Sequence, residues 1–217
     1  FAVSRKYQGY CVAGKELGKG PPSTWIRPVG ANATGELSLK TIQLEDGNAA
    51  GFLDIVKIAI KKPLPHYYQA ENCLIDGRKR WKKVGRLKDE ELVHYCDHVE
   101  ALWVNGHHSS KGTNDRIPIE VANEQCESSL VLIEPQVLSL ILTTGLTFKQ
   151  RIRAEFVYKG EPYNLSVTDP VVEKICADRE AGRYEVDERP LYLCISLGEP
   201  FEGFCYKLVA GVIGLKE

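Results

Sequence analysis

The sequence predicts a mainly β protein with a few helices, organised as two OB-like five-stranded barrels packed together. Two observations lead there. Residues 128–214 read strand, strand, strand, helix, strand, strand within roughly 90 residues, the element order of an OB barrel, a fold often used to hold single-stranded nucleic acid. The first half likewise passes through several extended segments to a helix and then to two more, so the halves read as distant versions of one barrel, although no sequence repeat links them.

Taken from the amino end, residues 1–3 close a strand, and 4–20, rich in glycine and lysine, form a surface loop. Residues 25–29 are extended, because Arg27 precedes Pro28 and is pushed away from helix. Residues 36–44 alternate imperfectly through Leu37, Leu39 and Ile42 and predict a strand. Residues 53–60, apolar and β-branched, predict a buried strand stopped by Pro63 and Pro65, and 66–75 continue extended. Asp89-Glu90-Glu91 place acids in the first turn of a helix whose buried face is Leu92, Cys96 and Val99. Residues 101–104 and 116–121 supply the last strands of this half. The polar segment 122–127 then marks a boundary, giving an N-terminal OB-like barrel with long basic loops over 1–125 and a C-terminal OB-like barrel over 126–217.

In the second half, 131–133 is a short apolar strand, 147–158 alternates almost perfectly, and 163–168 is a third strand after the turn Lys159-Gly160-Glu161-Pro162. Asp169 caps a helix with Pro170 at its first position, Val172, Ile175 and Cys176 form its apolar face, and Gly182 ends it. Residues 192–197 and 205–213 are the final strands, joined by a turn-rich segment from Gly198 to Gly203. Residues 137–143 fit either a helical turn or an extra strand.

A chain of 217 residues with 43% apolar composition can build real cores, and 28 basic against 29 acidic residues mean that any nucleic-acid surface must come from local clustering. Seven cysteines, odd in number, scattered and without a CxxC pair, argue against a disulfide framework or a four-thiolate zinc site and for a reducing cytoplasm. No apolar run approaches the roughly 18 residues that cross a bilayer, and the first six residues lack a signal core, so a soluble, cytoplasmic protein without membrane contact is expected. The absence of any methionine, an initiating one included, predicts that residues have been trimmed from the chain.

The densest charge cluster runs from Arg78 to Lys88, where seven of eleven residues are basic around a single tryptophan. Arg78, Arg80, Lys82 and Lys83 offer cations for phosphate, and Trp81 offers a flat ring for a base. The alternative is a solvated basic loop whose Trp81 tucks into the core. On the alternating strand from 147, Lys149, Arg151 and Arg153 face away from Ile152, Ala154 and Phe156 and form an outer cationic stripe beside Asn164, Ser166 and Thr168, or else a plain solvent face balanced by Glu155. Arg5 and Lys6 lie close to Tyr7, Tyr10, Lys15 and Lys19. Gly14-Lys15-Glu16-Leu17-Gly18-Lys19-Gly20 fails as a P-loop in spacing and in lacking a hydroxyl after the lysine. His94 and His98 share a helix face at a spacing that could touch a metal, and Glu71 with Asp115 could pair as nuclease carboxylates, but structural roles fit both better. No hydrolase, Rossmann or kinase signature appears, and no cofactor is implied.

Ser4-Arg5-Lys6, Cys11-Val12-Ala13-Gly14, Trp25-Ile26-Arg27-Pro28, Gln69-Ala70-Glu71-Asn72, Asp115-Arg116, the run from Cys194 to Phe201 and Cys205-Tyr206-Lys207-Leu208-Val209-Ala210 together resemble the prokaryotic family of dual OB-containing domain proteins, over nearly the whole chain. The resemblance implies two OB-like barrels in a cytoplasmic protein that recognises nucleic acid in settings linked to defence against mobile elements. It makes Arg5, Lys6, Arg27, Gln69, Glu71 and Arg116 the first candidates for a ligand site. The functional expectation is therefore a non-catalytic binder of single-stranded DNA or RNA, with Trp25 or Trp81 stacking on a base. The alternatives are a nucleotide- or nucleic-acid-processing effector enzyme and a small-ligand sensor or protein-interaction module.

Overall fold

Strands dominate both halves, as the apolar alternation requires. The computed structural model describes residues 2–6, 9–18, 24–144 and 150–215, and the chain divides into two units, Phe1–Tyr95 and Cys96–Glu217.

In the first unit, β1 (Ala2–Lys6) and β2 (Gly9–Lys15) form an antiparallel hairpin with Val3 opposite Val12, and β2 continues antiparallel to β3 (Trp25–Val29). The next two strands of the sheet come from later in the chain: β5 (Ile60–Pro63) and β6 (Asn72–Ile75). β3 runs parallel to β6, and β6 takes β5 antiparallel on its other side. The resulting order, β1-β2-β3-β6-β5, is a three-stranded meander, a parallel step and an antiparallel return, the Greek-key arrangement of an OB unit. The expected strand over 36–44 is instead one helical turn, α1 (Leu39–Ile42), because Ser38 caps it by accepting a hydrogen bond from the Thr41 amide at 3.2 Å. Leu37, Ile42 and Leu44 still reach the core, where they meet Val12, Ile75 and Trp81.

The expected strand over 53–60 is divided between two partners. β4 (Asp54–Lys57) pairs with β7 (Lys82–Arg86) in a two-stranded antiparallel ribbon, while β5 belongs to the main sheet. The helix expected from Asp89 is a 3-10 helix, Asp89–Tyr95, with Leu92 its buried side chain. Its acidic first turn is used locally: the Glu91 carboxylate accepts from the Lys88 amide at 2.9 Å.

The second unit matches its expected order closely. β9 (Leu130–Ile133) and β10 (Val137–Thr144) are separated by three residues; β10, β11 (Gln150–Tyr158) and β12 (Glu161–Val167) form a meander. α3 (Pro170–Ile175) follows, and then β14 (Tyr192–Phe201) and β15 (Phe204–Ile213). β12 is parallel to β15, β15 is antiparallel to β14, and β14 is antiparallel to β9. Because β9 leads directly into β10, the path returns to the strand from which the meander began, as an OB barrel requires.

Alternation fills this barrel: Ile152, Ala154, Phe156 and Tyr158 of β11 and Tyr163, Leu165 and Val167 of β12 are all buried in one cluster. Asp169 caps α3 as its position promised, its Oδ1 accepting from the Val171 amide at 2.8 Å, and its Oδ2 also accepts from the Val212 amide at 2.8 Å, tying the helix to β15. Residues 137–143 resolve as strand β10. The helix stops seven residues before Gly182, which instead opens β13 (Gly182–Glu185), a strand that pairs with β10 and covers its edge.

The division at Tyr95/Cys96 precedes the break read from polarity at 125/126. Residues 97–105 are tied to the second barrel by side chains: the Tyr158 hydroxyl donates to the Val99 carbonyl at 2.8 Å, and the Leu102 amide donates to the Tyr163 hydroxyl at 3.2 Å. The expected strand over 116–121 becomes β8 (Arg116–Pro118), paired with β15, followed by α2 (Ile119–Gln125). Residues 101–104 form no strand: the Leu102 amide donates to the Tyr163 hydroxyl, Trp103 Nε1 to the Ser128 carbonyl, and the Val104 carbonyl accepts from Lys207 Nζ. Among the described residues no helix is long and apolar enough to cross a membrane.

Candidate nucleic-acid interface

The basic cluster is built on the β4–β7 ribbon and the turn before it. Trp81, just ahead of β7, is 1% exposed and lies in the first unit's core, where its carbonyl accepts from the Glu45 amide at 2.9 Å. It therefore anchors the ribbon and does not present a ring for stacking; the apolar cluster available to it outweighs exposure of so large a surface. Arg78, Lys79, Arg80, Lys82 and Lys83 on either side of it are exposed.

Between residues 57 and 88 there are ten basic side chains and two acidic ones, Glu71 and Asp76. Asp76 is taken up by Arg78 at 3.0 Å and Lys61 at 3.9 Å. Asp54, at the head of β4, holds Lys83 at 2.6 Å and Arg86 at 3.5 Å. Burial pushes the Asp54 carboxyl up, but the Gly51 amide and the two cations outweigh it and keep the group below its ordinary value. Lys57, Lys62, Lys79, Arg80, Lys82 and Lys88 are exposed and make no ion pair among the described residues. Lys57 stands directly opposite Lys82 in the ribbon register. Like charges in that position repel, and an anion placed between them relieves the repulsion. Lys57, Lys61 and Lys62 were not singled out in the sequence, because they lie apart from the dense run; Lys57 joins it through the β4–β7 pairing, and Lys61 shares Asp76 with Arg78.

The residues favoured by the family resemblance occupy a different environment. Arg27 is 7% exposed and faces Glu71, 8% exposed, with Nε and Oε1 3.5 Å apart, and its amide donates to the Glu71 carbonyl at 2.9 Å. Asn72 Nδ2 donates to Gln69 Oε1 at 3.1 Å in the same buried group. These side chains are largely withdrawn from solvent, and Arg27 and Glu71 neutralise each other across the parallel β3–β6 step. Trp25 is 9% exposed, with Lys15 Nζ 5.0 Å from its ring centre, so it too is largely withdrawn from stacking. Arg5 and Lys6 lie on β1; their side chains fall outside the described residues.

In the second unit the outer stripe is only partly available. Lys149 lies outside the described residues, and Arg151 is exposed. Arg153 is bound into the fold: Nε donates to Asn164 Oδ1 at 2.6 Å, one terminal nitrogen to Ser166 Oγ at 3.0 Å, and the other to Asp115 Oδ2 at 3.1 Å. Asp115, 3% exposed, also accepts from the Ser109 amide at 2.7 Å and the Ser109 hydroxyl at 2.6 Å. Glu71 and Asp115 are thus each committed to an arginine. Arg116 stacks its guanidinium 4.0 Å from the Phe204 ring centre. His94 lies in the last turn of the 3-10 helix and His98 beyond its end, so the two do not share a helix face.

Lys207, not anticipated from the sequence, is 1% exposed inside the second barrel, donating to the Val104 carbonyl at 2.8 Å and Asn105 Oδ1 at 3.3 Å. Burial draws its pKa down to about 7, against the pull of Cys126 and Asp115. Its signal was visible as a lysine on the inward parity between Cys205 and Val209.

The near-zero net charge conceals a division. Residues 1–95 hold 16 basic and 10 acidic side chains, and residues 96–217 hold 12 and 19. The first unit is the one suited to a polyanion. No curated protein and no solved structure matches the chain. The family of the dual OB-containing domain matches residues 1–212. Two successive sheets with the same meander, parallel step and return give that match its structural counterpart, and the chain belongs to the dual OB-containing domain family.

Proposed function

We propose that the protein is a non-catalytic binder of single-stranded DNA or RNA, gripping the strand on the basic face of its first unit and acting in the prokaryotic defence-type setting that the family resemblance implies. The observation that carries this reading is the excess of ten cations over two acids between residues 57 and 88, with Lys57 set against Lys82 across the β4–β7 ribbon. OB units commonly hold single strands, and a cationic groove that tracks the backbone is the sequence-independent part of such a site. Lys57, Lys62, Lys79, Arg80 and Lys82 supply the phosphate contacts, while the acidic second unit serves as scaffold.

Fluorescence anisotropy with a labelled single-stranded oligonucleotide at several salt concentrations tests it. Affinity falls as salt rises, and Lys57→Glu with Lys82→Glu lowers the slope by about 1.4, two contacts at about 0.7 each. Absence of binding at low salt removes the reading. Incubation with magnesium or manganese leaves the strand intact; cleavage would place the protein among the processing enzymes instead.

A further inference from the structure

The first unit is not filled by its own side chains. A cavity of about 400 Å³ lies between the sheet and the β4–β7 ribbon. Val12 and Gly14 of β2 and Ile26 and Pro28 of β3 form one wall, and Ile58 and Val84 stand on the other. The walls are aliphatic. Val84, at 57% exposed, and Ile60, at 44%, mark its open rim. Lys15, Glu16, Asp54 and Lys57 stand around it, and Asp54 is already neutralised by Lys83 and Arg86.

We infer that this cavity receives one base of the bound strand, turned out of the backbone, while the neighbouring phosphates rest on Lys57 and Lys82. The inference rests on the nucleic-acid reading above and adds to it a defined subsite. Three features point to a base. The volume falls in the range of small-molecule sites and exceeds what one base and its sugar need. Lys57 and Val84 belong at once to the cavity wall and to the basic ribbon, so a backbone tracked along the ribbon passes the opening. The aliphatic walls contact the apolar faces of a ring without reading its edge, which gives affinity with little sequence preference.

The test compares labelled oligo-dT of twelve nucleotides with a strand of equal length made of abasic tetrahydrofuran residues, both at low salt. The phosphates are the same and only the bases differ. Binding of the abasic strand should be at least about tenfold weaker, with the same salt slope. Ile26→Trp fills the cavity from the sheet wall, and Val84→Trp obstructs it from the exposed rim, where no buried side chain has to move. Each should reduce the ratio between the two strands towards one and leave the salt slope unchanged. Equal affinity for both strands in the wild type overturns the base subsite while leaving the nucleic-acid reading intact. A ratio that persists or grows in both variants also overturns it, because the bases are then held elsewhere. Stabilisation of the protein by octanoate, combined with equal affinity for the two strands, assigns the cavity to an anionic amphiphile and overturns the inference. If neither strand binds, the underlying reading has failed and the subsite with it.

Discussion

Lys207→Met isolates the cost of keeping an amine inside the second barrel. Lys207 is 1% exposed and its pKa is drawn down to about 7 by burial. In the unfolded chain a lysine keeps its proton to about pH 10. Above pH ~7 the unfolded state therefore binds a proton that the folded state has released, and stability rises with pH by up to about 1.4 kcal/mol per pH unit. The Cys126 thiol, pushed up by burial to about 11, acts with the opposite sign once unfolded thiols begin to ionise. Confining the measurement to about pH 7 to 8.5 avoids most of that, and over this window Lys207 contributes about 1–2 kcal/mol of increasing stability. Methionine keeps an unbranched stem of similar length in the barrel and removes the titration. Guanidinium unfolding followed by circular dichroism, with equal slopes required for the two proteins, yields the comparison. The wild type should gain about 1–2 kcal/mol on the variant as pH rises through the window. Parallel stability curves would mean that the buried amine does not exchange its proton there, and the reasoning from burial would be refuted.

Other substitutions separate anchors from surface. Trp81→Ala should destabilise the first unit by roughly 3–5 kcal/mol by opening its core, while Lys79→Ala, two residues away, changes stability by no more than about 0.5 kcal/mol; thermal unfolding distinguishes them. Arg153→Ala leaves Asp115 buried without its cation and should cost roughly 3–5 kcal/mol, whereas Arg151→Ala on the same strand should be nearly silent. Asp169→Ala removes acceptors from both Val171 and Val212 and should cost about 1–3 kcal/mol, with faster hydrogen exchange at the Val212 amide as the local readout.

The middle of the second barrel was legible because β11 and β12 are long and alternate outward with buried side chains. Residues 150–158 and 161–167 obey a period of two strictly, and Asp169-Pro170 announces its own cap. Residues 137–144 were ambiguous because both β10 faces carry apolar side chains, which removes the alternation. In the first unit the strands have four to seven residues, too few for periodicity to separate a strand from a turn, and so the short α1 was read as extended.

By itself the sequence determined that the protein is mainly β, that an OB order runs through its second half, and that a dense basic run surrounds Trp81. These are local properties, written in spacing and composition. Only the tertiary structure decided which members of each cluster face water. Trp81 went to the core, Arg27 found Glu71, and Arg153 found Asp115 across 38 positions of chain, while Lys57 came to face Lys82. The reason is that a buried charge or ring is satisfied by whatever the fold brings to it, and those partners lie far away in sequence. The basic face proposed to meet a single strand is therefore what remains exposed after the fold has met its own requirements.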